Sequence, residues 1–257
     1  MRIETDADST FISFTNRDRL RHDLIPYSLA FKRQLRTALP LIVINLGNTL
    51  EGFFTGMMLG KITDEALAAG SLIGSTNLIL SSSLMAPMYA STILIRKAVG
   101  ANAHSDIALL WRQSLIIGTT LSSIRIILMK WALKPTLNII TNRPEIVDIV
   151  QQYYDFYIFG ALFDVWSQAY ENFFLGIDKI PVVLFVRYFK LIVFSISAYL
   201  LSQNKHGGRN LGVSGISIAF GLQALLSFIL YTALVAGKKE YAEFGLIRKF
   251  FSRSTEQ

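Results

Sequence analysis

Six long apolar stretches, at residues 38–60, 66–95, 107–133, 146–175, 180–202 and 211–236, restrict this chain to helices that cross a membrane. Each reaches the ~20 residues an α-helix needs to span ~30 Å of hydrocarbon. No water is available there to bond the backbone, and a helix satisfies its own peptide groups. The expected fold class is all-α, a polytopic membrane protein built as a six-transmembrane-helix bundle over 37–237. A cytoplasmic N-terminal tail is expected over 1–36 and an amphipathic cytoplasmic segment over 238–257.

Composition narrows the function. Hydrophobic residues make up 52% of the 257 and charged residues 17%, a membrane balance, and most connections are too short to hold another domain. Cysteine is absent, which excludes disulfides, thiolate nucleophiles and zinc–thiolate sites. His22, His104 and His206 sit in polar stretches without paired ligand spacing, so no metal site is expected. Walker loops, GxSxG, HExxH and glycosidase-type carboxylate pairs are missing, which argues against an enzyme. The net charge of +7 resides in loops and tails, where it orients a membrane protein rather than binding nucleic acid. With the N-terminus inside, 15 Lys and Arg fall on inner segments and six on outer ones, favouring both termini in the cytoplasm. The first 30 residues lack the apolar core of a signal peptide, so the expected location is an inner or plasma membrane, or an organelle equivalent.

Local signals divide the spans. Pro40 stands near the start of the first, and Tyr27–Arg36 reads as an interfacial helix leading into it. Thr63-Asp64-Glu65 reads as the N-cap of the second span, and Pro87 is expected to kink that span. Pro144 marks a helix start, while His206–Gly212 forms an outer loop. Lys238–Phe251 mixes aromatics with basic residues, as a helix lying on the inner leaflet does.

In the first span, Pro40, Thr49, Gly52-Phe53, Met58 and Gly60 follow the order of the first helix of the MATE (multidrug and toxic compound extrusion) family. Tyr154, Gly160, Gln168, Phe173, Gly176 and Asp178-Lys179 before Pro181 resemble that family's fourth helix and its exit. Leu211–Ala219 is similar to the entry of its sixth helix. The resemblance covers residues 36–250, its motifs being mostly Gly and Pro whose order and spacing carry the likeness. It implies the N-terminal six-helix lobe of a two-lobed transporter whose substrate cavity lies between the lobes. The chain departs from the family in chemistry. Thr55 stands where an Asp is usual, Phe194 and Ala198 where Asn or Asp are frequent, and Glu171 where an Arg is common.

Charges inside the membrane cost ~2.5 kcal/mol or more each, so they face a bundle interior or water. Asn45, Asn48, Glu51 and Thr55 recur at steps of three, three and four and share one helix face. Asn48, Glu51, Thr55, Asp155 and Arg125 are the ion-coupling candidates, with Glu51, the only carboxylate of the first span, foremost. Counted from the outer helix ends, Glu51, Arg125 and Asp155 all lie ~14 Å deep, which suggests one layer with Arg125 neutralising a carboxylate. Asp164 and Lys190 lie at a common depth from the inner side, with Arg187 nearer the surface, suggesting a second pairing. Asp164, Gln168, Glu171, Lys190 and Tyr157 are the cavity and charge-layer candidates. Tyr153, Tyr154, Tyr157 and Trp166 either line a cavity for flat cations or pack against neighbours. Trp111 and Trp131 lie near the two ends of the third span, as interfacial anchors do.

The expected function is half of a MATE-like secondary transporter, exporting organic cations or other xenobiotics by ion-coupled antiport. It needs no cofactor beyond H⁺ or Na⁺ as coupling ion. Its expected partners are membrane lipid, a small amphipathic or cationic substrate, and a second six-helix lobe from a homo-oligomer or a separate chain. Two alternatives remain: a truncated or degenerate lobe that acts only as an interaction partner, and a lipid-linked-sugar flippase of the same superfamily. The flippase would need a cationic cavity, for which Arg125, Arg187 and Lys190 are the support.

Overall fold

The computed structural model describes residues 27–141, 143–202, 211–238, 241 and 244. These form seven helices: α1 (Tyr27–Gly60), α2 (Asp64–Gly100), α3 (His104–Trp131), α4 (Leu133–Ile140), α5 (Pro144–Gly176), α6 (Ile180–Ser202) and α7 (Gly212–Gly237). No strand occurs among the described residues. The six long helices coincide with the six apolar stretches. The short α4 is an addition, lying between the third and fourth apolar stretches. Pro135 is the third residue of α4, where the backbone N–H has no intrahelical partner to lose. The tail through residue 26, the loop carrying His206 and most of the segment after Lys238 lie outside the described residues.

Helix ends follow their local chemistry. Thr63 Oγ1 accepts the Ala66 N–H at 3.0 Å and starts α2, and Pro144 opens α5. Asn102 and Asp178 close two of the tight connections at positive φ, 55° and 60°, a conformation these two residue types tolerate. Between Ser81 and Met85, α2 bends by 50°. Pro87 lacks the N–H that would hold the carbonyl one turn earlier, which accounts for the bend.

Among the described residues, α3 from Ser105, α6 and α7 are long and apolar enough to cross a membrane, and α2 joins them if its two bent halves make one span. Both α1 and α5 have the length, at 34 and 33 residues, but polar groups interrupt their apolarity. Of the two, α5 is enclosed by other helices, as its carboxylates require, whereas α1 keeps Leu46, Phe53 and Met57 exposed.

By its contacts the chain resolves into two units, Met1–Val43 and Ile44–Gln257. In the first, the described residues are helical from Tyr27. In the second, α5 is the hub, packing against α2, α3, α4, α6 and α7. Apolar burial drives association weakly in lipid, so close packing and hydrogen bonds must hold such a hub. Gly160 of α5 lies against Gly221 of α7 so closely that a Cβ on Gly160 would stand 2.5 Å from the Gly221 Cα. Ser217 donates to the Tyr153 carbonyl at 2.7 Å, and the Ser167 and Ser227 hydroxyls meet at 3.0 Å. On the other side Asn172 Nδ2 donates to the Met88 carbonyl at 3.0 Å. The main apolar core gathers Met58, Leu59, Ile73, Met129, Val147, Tyr154, Phe194 and Ile216 around the first half of α5.

Candidate functional site

Steps of four and three put Asp164, Gln168 and Glu171 on one face of α5, and that face forms one wall of a small polar pocket. Val186, Arg187 and Lys190 of α6 form the second wall, and Ser227 and Tyr231 of α7 the third. Two ion pairs cross the pocket between α5 and α6. Lys190 Nζ lies 2.8 Å from Asp164 Oδ1, and Arg187 Nη2 reaches both Glu171 oxygens at 2.7 and 2.8 Å. The Glu171–Arg187 side chains are 12% and 11% exposed, and the charge-assisted contacts of one guanidinium nitrogen with both carboxylate oxygens offset part of the desolvation of such a pair.

Helix α1 joins this site through polar side chains. Arg187 Nη1 donates to Asn48 Oδ1, which ties α1, α5 and α6 together on one guanidinium. Gly47, one residue earlier, lets the Arg187 stem pass, since a Cβ there would sit 3.0 Å from Arg187 Cγ. One turn further along, Glu51 Oε1 accepts the Nε2–H of Gln223 on α7 at 2.8 Å. Gln223 is wholly buried, and its Oε1 has no hydrogen-bond partner among the described residues. Thr55 turns inward on its own helix, its hydroxyl donating to the Glu51 carbonyl at 2.8 Å.

Glu51, Arg125 and Asp155 do not form one layer. No ion pair joins them among the described residues. Arg125 is 2% exposed between α2, α3 and α5, where Nη1 donates to Ser81 Oγ at 3.1 Å and the guanidinium lies 5.5 Å from the Tyr157 ring centre. Asp155 is exposed and takes the Gln151 amide at 3.1 Å. Counting residues along a helix fixes depth but not azimuth, and these side chains point in different directions. The tyrosines also belong elsewhere. Tyr153, Tyr154 and Tyr157 are buried in the core, Tyr157 stacks on Phe220 with ring centres 4.7 Å apart, and none of the three lines this pocket. Trp166 donates to Thr119 at 3.0 Å. Trp131 is exposed at its helix end, whereas Trp111 is buried against Tyr170 and is no interfacial anchor. Phe194 and Ala198 pack in the core.

A census of ionisable residues passes over Gln223. The signal was present nonetheless: it is an amide near the middle of an otherwise apolar span, where neutral polar groups are kept for hydrogen bonds between helices.

Comparison with known proteins gives a consistent picture. The MatE family model matches residues 40–201. A protein described as "Probable multidrug resistance protein NorM" from Pseudomonas aeruginosa is 25% identical over 87% of this chain and 46% of its own length. Its namesake from a Synechococcus strain is 22% identical over 77% and 43% respectively. The chain thus spans about half the length of the curated relatives it matches. Among solved structures, the Vibrio cholerae MATE transporter VcmN superposes with a TM-score of 0.72 at 14% identity, over 86% of this chain and 50% of that one. A MOP superfamily transporter from Pyrococcus furiosus gives 0.64 at 17% identity, over 78% and 44%. Both likenesses concern the fold.

Proposed function

The chain belongs to the MATE family, and from that premise we propose that it forms one six-helix lobe of an ion-coupled exporter of organic cations. The observation that carries this reading is the state of Glu51. Asp164 and Glu171 have cations bonded to them, whereas half-buried Glu51 is bonded by a neutral amide and by no cation among the described residues. A carboxylate matched by a bound cation would be available to exchange that cation for substrate, and ionisable groups inside a membrane usually mark such pathways. The two closed ion pairs would instead set the shape of the pocket wall. The second lobe, whether another copy or another chain, would complete the cavity around the α1 face that carries Asn48 and Glu51.

Two observations weigh on the alternatives. Phe194 and Ala198, buried and apolar, supply no ligand and favour a lobe that folds without transporting. The pocket charges balance, Arg187 against Glu171 and Lys190 against Asp164, which speaks against a cationic flippase cavity.

The test is efflux of a fluorescent flat cation, ethidium, from proteoliposomes under an imposed pH or Na⁺ gradient, comparing wild type with Glu51→Gln. Gradient-driven efflux in wild type and its loss in the variant is expected. Equal efflux from both would remove Glu51 from the mechanism, and no efflux from either would support the non-transporting lobe.

A further inference from the structure

Two buried polar atoms are left over at the site among the described residues, Arg187 Nε and Gln223 Oε1, and only the second, at a wholly buried residue, is an acceptor. An acceptor in that position bears its full desolvation cost in the present state, so a state in which it is bonded gains the difference. The same amide already donates from Nε2 to Glu51 Oε1 at 2.8 Å, so the carboxyl and the amide are in direct contact. We propose that Gln223 is the positioning residue for protonated Glu51 and that the coupling ion of this site is the proton. This rests on the reading of Glu51 as the coupling carboxylate.

The step is a single proton transfer. A hydronium ion gives up one O–H bond, a new O–H bond forms on Glu51 Oε2, and the carboxyl becomes neutral. The new O–H donates to Gln223 Oε1 while Gln223 Nε2 goes on donating to Glu51 Oε1. The result is a closed acid–amide ring with two hydrogen bonds in which no polar atom of Gln223 is left over. In the ionised state the same pair can make only one bond, because a carboxylate has no proton to offer. Protonation therefore adds a second hydrogen bond between α1 and α7, and deprotonation exchanges the two for one charge-assisted bond.

Sodium is the competing occupant, and a hard cation asks for several oxygens around it. Glu51 Oε1 already takes an N–H, and Asn48 Oδ1 faces the Arg187 guanidinium, whose charge repels a second cation. Gln223 Oε1 and Thr55 Oγ1 keep lone pairs free, so the response to Na⁺ separates the two ions. Among the described residues, the charged and titratable side chains in electrostatic reach of Glu51 are Arg187 and Lys190 on α6 and Tyr153 and Tyr157 on α5, with Asp164 held against Lys190, while α7 contributes the Gln223 amide.

Infrared difference spectroscopy on the full chain in lipid vesicles reads this event without any transport. Acidification should raise a carboxylic-acid carbonyl band that is absent from Glu51→Gln. In Gln223→Met that band should move to higher frequency, since an acid without its ring partner has a stiffer carbonyl. Adding Na⁺ at fixed pH should leave the wild-type band unchanged. No Glu51-dependent band, no displacement in Gln223→Met, or erasure of the band by Na⁺ would each overturn the proposal. Should Gln223→Met fail to reconstitute, carbon-13 labelling of glutamine in wild type replaces it: a glutamine carbonyl must shift down on acidification, and a spectrum without that shift overturns the ring. Loss of Glu51-dependent efflux with the band intact would sink the transport reading alone. Efflux that depends on Glu51 without the band would sink the ring alone.

Discussion

At the scale of single residues, the Asp164–Lys190 pair shows how much a sequence can disclose. Both side chains lie at similar depth on adjoining helices, and they meet at 2.8 Å. Removing one member strands the other in a poorly solvated place, which is costlier than the net value of the pair. Lys190→Met should therefore lower unfolding stability in detergent by about 3 kcal/mol. Adding Asp164→Asn should restore most of it. A double-mutant cycle by chemical denaturation checks this, and additive losses would show that the pair is not coupled. Arg125 marks where such reasoning stops. Its depth was readable, but whether it faced Asp155, Glu51 or Ser81 depended on helix rotation that only the packed bundle fixes. Gln223 went unnoticed for a different reason: a neutral side chain adds nothing to a charge count, although its burial makes it costly to leave unbonded.

For whole helices, apolar length located all six long elements, and the errors lie at their ends. Helix α1 runs back to Tyr27 without a break, so the helix expected over Tyr27–Arg36 is continuous with the first apolar stretch. Composition also could not tell that α5, with the most interrupted apolarity, would be the hub. Its place is set by where small residues allow backbones to touch. Gly160→Ala should force α5 and α7 apart and cost about 1–3 kcal/mol, as overpacking does. Gly74→Ala on α2 is the control, because a Cβ there meets nothing within 4 Å. It should be neutral or stabilise by about 0.5–1 kcal/mol through helix propensity. Thermal unfolding of both variants in the same detergent separates a packing effect from a general intolerance of added bulk. Similar losses in the two would refute the Gly160–Gly221 contact as a determinant.

Across the whole molecule, the expected topology has its test in the absence of native cysteine. A single cysteine introduced at His206 should react with a membrane-impermeant maleimide in intact cells, and labelling only after lysis would invert the orientation. Family and fold were legible because glycines and prolines recur at spacings that backbone geometry enforces. The chemistry of the site was less so, since it depends on which faces four separate helices turn toward each other.

The central position of α5 also has a consequence in time. A ribosome delivers α2 and α3 before their common neighbour exists, and α6 and α7 after it. Once made, α5 still lacks the glycine and serine surface of α7 until residues beyond 212 have left the exit tunnel. During that interval a helix carrying five carboxylates must wait in the membrane with one flank uncovered. This gives the insertion machinery something to hold. Nascent chains stopped after Ser202 should stay bound to the insertion machinery or be degraded, while those extended past Lys238 should be released. Equal release of both lengths would mean that α5 finds shelter without α7.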